Sequence, residues 1–368
     1  MRLVYPLYNR KTEAVSSLKE VIVYVDCIDD PIDADDVTTL TVLARNIRLA
    51  CTLVDTPSNE MTTNRLVAEA VEVAEKLKAG CLVIQGEELR EQGFGGIYHV
   101  GKAGPTPPAF VVLSHEPQGA SKTFALVGKG VVFDTGGHSM KTKTQMPTWK
   151  CDMAGAAGVL AAFSSLVSAG FTQNLHACLC IVENSVAPAA NKPDDVITLL
   201  SGKTVEINNT DAEGRLILAD GVYYAKEALK ADVIIDLATL TTLQGVMTGS
   251  YHSAVMSSSA EYEGKAVAAG LKSGDLTHPM VFAPELHFSD FTSPVADARN
   301  SQLGSMKGPA SSIAGLFIGW QLGYGSSCTW MHIDMGTLAL DSRGRATGYG
   351  VALLSTLLGE HTASAILH

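Results

Sequence analysis

From residue 81 onward, short apolar runs alternate with longer stretches in which apolar positions recur every three or four residues. Cys81–Ile84, Phe110–Leu113, Phe124–Val127, Leu175–Val182, Val233–Leu237 and Trp330–Ile333 have the length and composition of strands. Ala154–Ala169, Arg215–Leu229, Glu261–Leu271 and Ser311–Leu322 have helical spacing. Two earlier helices are predicted. One runs from Asp36 to about Val54, and the other is capped by Thr62 or Thr63, runs to Lys78 and stops at Gly80. Val21–Val25 reads as a further strand. Because the Val/Ile/Leu runs have no polar face, both faces of their sheet must be covered. The predicted fold is therefore α/β, with a mixed, largely parallel central sheet and helices on both faces.

The stretch Met153–Val182 carries no Asp, Glu, Lys or Arg and imitates a membrane span. Gly170, Thr172, Gln173, Asn174 and His176 interrupt it, so helix, turn and buried strand is the better reading. The loop Asp29–Asp36 is the best boundary. It divides the chain into an α/β remnant at 1–35, a linker helix and loop at 36–60, and one large domain at 61–368.

Composition narrows the partners. The 368 residues carry a formal charge of −11, which opposes binding to nucleic acid or to an anionic membrane. Hydrophobic residues make up 46%, which excludes disorder as the main state. Only 18% are charged, against roughly 25% in typical soluble chains. That deficit fits a homo-oligomer whose copies cover part of the surface. Seven cysteines without a C-x-x-C pair, and no apolar segment of secretory type after Met1, point to the reducing cytoplasm.

Three segments carry candidate chemistry: GKGVVFDTGGHSMK at Gly128–Lys141, KCDMAGAA at Lys150–Ala157 and NTDAEGRL at Asn209–Leu216. In the first, an apolar strand ends in Asp134 and a glycine pair, and strand ends are where open α/β sheets place ligands. Asp152 opens a long helix of small residues, where taken alone it would be a helix cap. Asp211 and Glu213 are two apart and project to one side on extended or turn backbone. Arg215 starts a helix whose free N–H groups favour an anion. Four carboxylates converging on one cleft would repel, and two divalent cations are the simplest remedy. Such a pair would activate a water and polarise a carbonyl. None of the ten histidines is at ligand spacing, and His138 reads as supporting the site from behind or as packing beside the cleft.

These blocks identify a resemblance. NTDAEGRL resembles the signature octapeptide of the leucyl aminopeptidase (cytosol aminopeptidase, M17) family, and the other two blocks resemble its remaining active-site segments in order and spacing. The resemblance runs from about Ala44 to the C-terminus. ENSVAPAANKPDD at Glu183–Asp195 and PELHFSDFTSPVADARNS at Pro284–Ser301 look closest to a divergent animal branch of probable aminopeptidases.

The resemblance implies an aminopeptidase that removes N-terminal residues from peptides through a hydroxide bridging two metal ions. One ion would be held by Lys129, Asp134, Asp152 and Glu213, and the other by Asp134, Asp211 and Glu213. Lys141 would polarise the scissile carbonyl, and Arg215 would hold a bicarbonate serving as base. Zinc is implied, with manganese or cobalt admissible at one exchangeable site, since oxygen ligands plus an amine select zinc weakly. The family pattern further implies a hexamer or trimer-based assembly, most of whose N-terminal domain this chain lacks. Substrate-pocket positions fall on Trp149, where the family usually has methionine, and on Thr239, Leu240 and Thr242, with Thr242 replacing a usual glycine. Both departures add bulk and predict a preference for small N-terminal side chains. The alternative reading is a catalytically idle assembly subunit of the same fold, which intact ligand positions oppose. DNA binding is opposed by the charge.

Overall fold

The computed structural model describes residues 8–12, 32–302 and 308–368. The expected strand Val21–Val25, most of the 1–35 segment and Cys27 lie outside the described residues.

Eight strands form the main sheet: β1 (Gly80–Gln85), β2 (Ala109–His115), β3 (Thr123–Asp134), β4 (Asn174–Asn184), β5 (Val233–Ala238), β6 (Ser253–Ser257), β7 (Thr277–Pro279) and β8 (Thr329–Asp334). Their order is β1-β2-β4-β3-β5-β8-β6-β7. The centre, β4-β3-β5-β8, is parallel throughout, while β1, β2 and β6 pair antiparallel at the flanks. A three-stranded sheet of very short strands, Val196–Thr198, Thr204–Glu206 and Ala298–Arg299, lies apart.

Side chains alternate across the strands and feed two cores. Phe124 and Leu126 of β3 join the core under α1 (Ala34–Asp55), α2 (Thr63–Leu77), α4 (Ala154–Ser168), α6 (Ala260–Ser273) and α8 (Val351–Leu357). Ala125 and Val127 join the opposite core under α3 (Gly95–Gly101), α5 (Gly214–Glu227) and α7 (Ala310–Leu322). Both faces are thus covered, as the unbroken apolar runs require. The charge-free stretch resolves into a largely buried α4, an exposed turn at Gly170 (φ +75°) and a largely buried β4. The N-terminal signal at α2 acts as expected, but Gly80, the expected stop, opens β1 and does not close the helix. The Thr62 hydroxyl accepts from Arg65 N (3.3 Å), and Lys78 closes the helix in the left-handed region.

Parallel central strands bring their carboxyl ends to one edge. Asn184, Asp134, Ala238 and Asp334 end β4, β3, β5 and β8 there. That shared edge carries the site.

Candidate metal centre

Lys129 sits inside β3, and Asp134 ends it after a register irregularity between Val131 and Asp134. The irregularity re-aims the strand end. Beyond it the chain turns back through Gly136 (φ +84°), where a Cβ would stand 2.9 Å from Asp211 Oδ1 and 2.6 Å from Ser139 O. Only glycine fits that approach. Asp152 lies in a 3-10 turn, Trp149–Met153, that leads into α4. Glu213 directly precedes α5, and Gly214 beside it leaves room for Lys129: a Cβ there would meet Lys129 Cε at 2.6 Å.

The three blocks converge. Lys129 Nζ donates to Asp152 Oδ1 (2.8 Å) and to the Thr239 carbonyl (2.8 Å), and pairs with Glu213 Oε1 (2.9 Å). Lys141 Nζ pairs with Asp134 Oδ2 (2.8 Å) and Asp211 Oδ1 (2.5 Å). Oxygens of Asp134, Asp211 and Glu213 lie within 4.8 Å of one another. Lys129, Asp134, Asp152 and Glu213 are buried, whereas Asp211 is 32% exposed towards the cleft. A cavity of about 540 Å³ opens over them, with Met140, Trp149, Leu240, Thr242 and Ile313 in its wall.

Asp152 does not cap α4. Its carboxylate instead receives Lys129 and the Thr239 hydroxyl (2.9 Å), because a buried cation outbids a peripheral backbone N–H. Thr239 accordingly lies behind the carboxylates, while Leu240 and Thr242 face the cavity. His138 is exposed rather than packed; its neighbour Ser139 exchanges hydrogen bonds with Thr210 instead (2.7 and 3.1 Å). Arg215 donates through Nη1 to the Asn300 carbonyl (2.9 Å), and burial lowers its guanidinium to about 10.

Four supporting residues were missed in the sequence. Asn184 donates to Asp134 Oδ1 (2.8 Å) and the Thr210 carbonyl (3.0 Å), tying two blocks together. Thr210 donates to the Gly136 carbonyl (2.6 Å). The fully buried Asn300 receives the backbone N–H of Asn208 and Asn209. Asp334 receives Leu240 N, Thr241 N and the hydroxyls of Thr241 and Ser311, and so fixes the cavity wall. Asn184 and Asp334 both end parallel strands, so the strand-end rule could have found them.

The electrostatics fit divalent cations. Four carboxylates face two ammonium groups, which leaves a negative excess in a poorly solvated site. Asp152 Oδ2 and Glu213 Oε2 are buried without a hydrogen-bond partner. Oxygen donors with spare lone pairs are what hard cations take. Burial, with like charge from Asp134 and Glu213, pushes Asp211 up to about 7. Burial pushes Asp134 and Asp152 the same way. Burial alone would raise Glu213 and lower both lysines; the lysines and carboxylates reverse this, holding Glu213 down and the lysines up.

A carboxyl whose folded pKa exceeds its unfolded value of about 4 loses stability as pH climbs between the two. With a chelator present, the melting midpoint should therefore fall as pH rises from about 4 to about 7. Excess divalent ion should reverse the trend, because the ionised carboxylates then have a partner. Scanning calorimetry under both conditions checks this, and a chelated protein that gains stability over that range would contradict the site electrostatics.

Comparison with known proteins agrees with this geometry. The model of the "Cytosol aminopeptidase family, catalytic domain" matches residues 48–355. Leucine aminopeptidase 1 of Caenorhabditis elegans is 56% identical over 352 residues, covering 96% of this chain and 72% of that protein. Probable aminopeptidase NPEPL1 of Mus musculus is 48% identical, covering 99% and 70%. The solved C. elegans leucine aminopeptidase superposes with a TM-score of 0.90 at 57% identity, over 92% of this chain and 69% of that one. The leucyl aminopeptidase of Trypanosoma cruzi gives 0.85 at 42%, over 87% and 63%. With the acidic cluster, the strand-end placement and these relatives in agreement, the chain belongs to the cytosol aminopeptidase (M17) family.

Proposed function

We propose that this protein is a dinuclear-metal aminopeptidase acting on the N-terminal bond of peptides. The observation that carries this reading is the meeting of Lys129, Asp134, Asp152, Asp211 and Glu213 at one strand-end cleft beneath a substrate-sized cavity. Those five residues would hold two divalent ions, zinc first, with manganese or cobalt able to replace one. When bound, the ions would lower the pKa of a water and polarise the scissile carbonyl.

The chain's own residues supply the rest. Lys129 must lose a proton from Nζ to act as a ligand, at a cost of roughly 4–5 kcal/mol from its ordinary value alone. Lys141 stays an ammonium. Once Asp134 and Asp211 engage cations, its Nζ is free to donate to the carbonyl oxygen as negative charge develops there. Arg215 would hold bicarbonate as a base, through the buried Nε that has no hydrogen-bond partner. Residues 61–368 form the proposed catalytic unit, with 36–60 as its linker. A cytoplasmic, trimer-based or hexameric assembly is proposed with it, in keeping with the low charge fraction.

Trp149, Met140, Leu240 and Thr242 narrow the cavity, so short N-terminal side chains should be preferred. A panel of aminoacyl amides, run with zinc or manganese and again with chelator, tests both proposals. Chelator should abolish turnover and metal should restore it, with Ala and Gly substrates hydrolysed faster than Leu or Phe. No hydrolysis of any amide by metal-loaded protein would sink the enzyme reading. Leu or Phe turnover at or above that of Ala would sink only the pocket reading.

A further inference from the structure

Lys141 is held from three sides, and one of them is not a carboxylate. Its Nζ lies 3.6 Å from the centroid of the Trp149 ring, well inside the range of a cation–π contact. The chain is built to bring the two together. Lys141 N donates to Thr135 O (2.9 Å), fixing the lysine against the end of β3. The loop then closes on itself through Thr142, whose carbonyl receives Gln145 N and Met146 N and whose hydroxyl donates to Gln145 Oε1 (2.8 Å). Thr148 completes the reversal at φ +82°, a left-handed conformation that a β-branched residue adopts only when its surroundings impose it. Trp149 follows at once and opens the 3-10 turn that also carries Asp152. One rigid turn thus sets both the ring and a buried carboxylate.

We infer that Trp149 is a positioning residue for Lys141, its ring face holding the ammonium at the cavity when Asp134 and Asp211 are engaged by cations. This rests on the proposed aminopeptidase reading, in which those two carboxylates turn to metal and cease to hold the lysine. The ring then remains as a partner that no divalent cation competes for. An aromatic face also attracts the ammonium without drawing off its proton, which keeps Nζ available as a donor.

The test uses the full chain carrying Trp149→Phe, Trp149→Leu, Lys141→Met and the double variant Lys141→Met with Trp149→Leu. With metal-loaded protein and a glycyl amide, whose side chain needs no pocket, Trp149→Leu should lower kcat roughly 2- to 30-fold. Trp149→Phe should retain most of the rate, and KM should move less than twofold in both. In the Lys141→Met background the same Leu substitution should cost nothing further. A purely wall-forming Trp149 would instead change KM for large side chains and leave kcat on glycyl amide intact, which overturns the inference.

A second measurement needs no turnover. The emission of Trp149, taken as wild type minus Trp149→Phe in chelated protein, should shift when Lys141 is replaced by methionine. An unmoved spectrum means the contact does not exist. Should the metal-loaded wild type prove inactive on every amide, the emission experiment still decides the contact, while the aminopeptidase reading fails separately. Should Trp149→Leu not fold, the emission shift, with Trp149→Phe as its reference, decides whether the contact exists.

Discussion

Lys141→Met is expected to lower kcat by about 10³-fold while both divalent ions stay bound. Methionine keeps the length and apolar stem of lysine and deletes the charge. A preorganised donor at a developing oxyanion is worth about 10²–10³ in rate, and a full positive charge belongs at the upper end. The metal content should not fall, because in the proposed site Lys141 competes for the carboxylates and is not a ligand. Its Nζ occupies Asp134 Oδ2 and Asp211 Oδ1, so removing it frees two oxygens for cations. Metal affinity should rise or hold, as read by titration with a metal indicator and by elemental analysis of dialysed protein. Loss of metal from this variant would show that the lysine has been given the wrong role.

Lys129→Met should behave in the opposite way, with metal affinity lowered and the fold weakened. The Lys129 ammonium is buried against Asp152 and Glu213, with Asp134 close enough to contribute. Removing one partner of a buried pair leaves uncompensated charge and costs about 3–5 kcal/mol. Urea titration of chelated protein should show that loss. Uptake of protons by Asp152 is expected to soften it at low pH, since burial already pushes that carboxyl up. Calorimetric metal titrations in buffers of differing ionisation enthalpy should also release about one proton fewer than wild type, because the amine must shed its proton to ligate. Equal proton release in the two proteins would mean that Lys129 never becomes a ligand.

Long elements and the three blocks that meet at the cleft were readable from the chain; the connections between them were not. α4, α5, α7 and three of the four central strands follow their periodicity within a few residues, because each buries a continuous apolar stripe or run; β3 runs on from the expected Phe124–Val127 to Asp134, through Gly128, Lys129 and Gly130, which interrupt its apolar run. β6 escaped notice because Ser253 and Ser257 dilute its short apolar run, and its antiparallel pairing with β8 leaves no sequence mark. Strands of two or three residues in the small sheet carry too little periodicity to detect. Taken alone, Asp152 reads as a helix cap because capping is a local property, while its partner in the structure, Lys129, is 23 residues away. The Lys141–Trp149 contact depends on a loop closed by Thr142 and a left-handed Thr148, neither of which periodicity can express. Asn300 is further still from the backbone it organises, 91 residues beyond Asn209.

Asp334 separates two properties that enzymes often entangle. It grips the peptide N–H groups of Leu240 and Thr241, so the path of that segment is set by the end of β8 and by Leu240 packing on the core, and owes little to the exposed side chain at 242. Variation at those two positions can retune which peptides fit while the acidic cluster keeps its alignment. A library that varies 242 freely and keeps 240 apolar should therefore yield altered selectivity at undiminished folding yield, making this strip a natural handle for engineering.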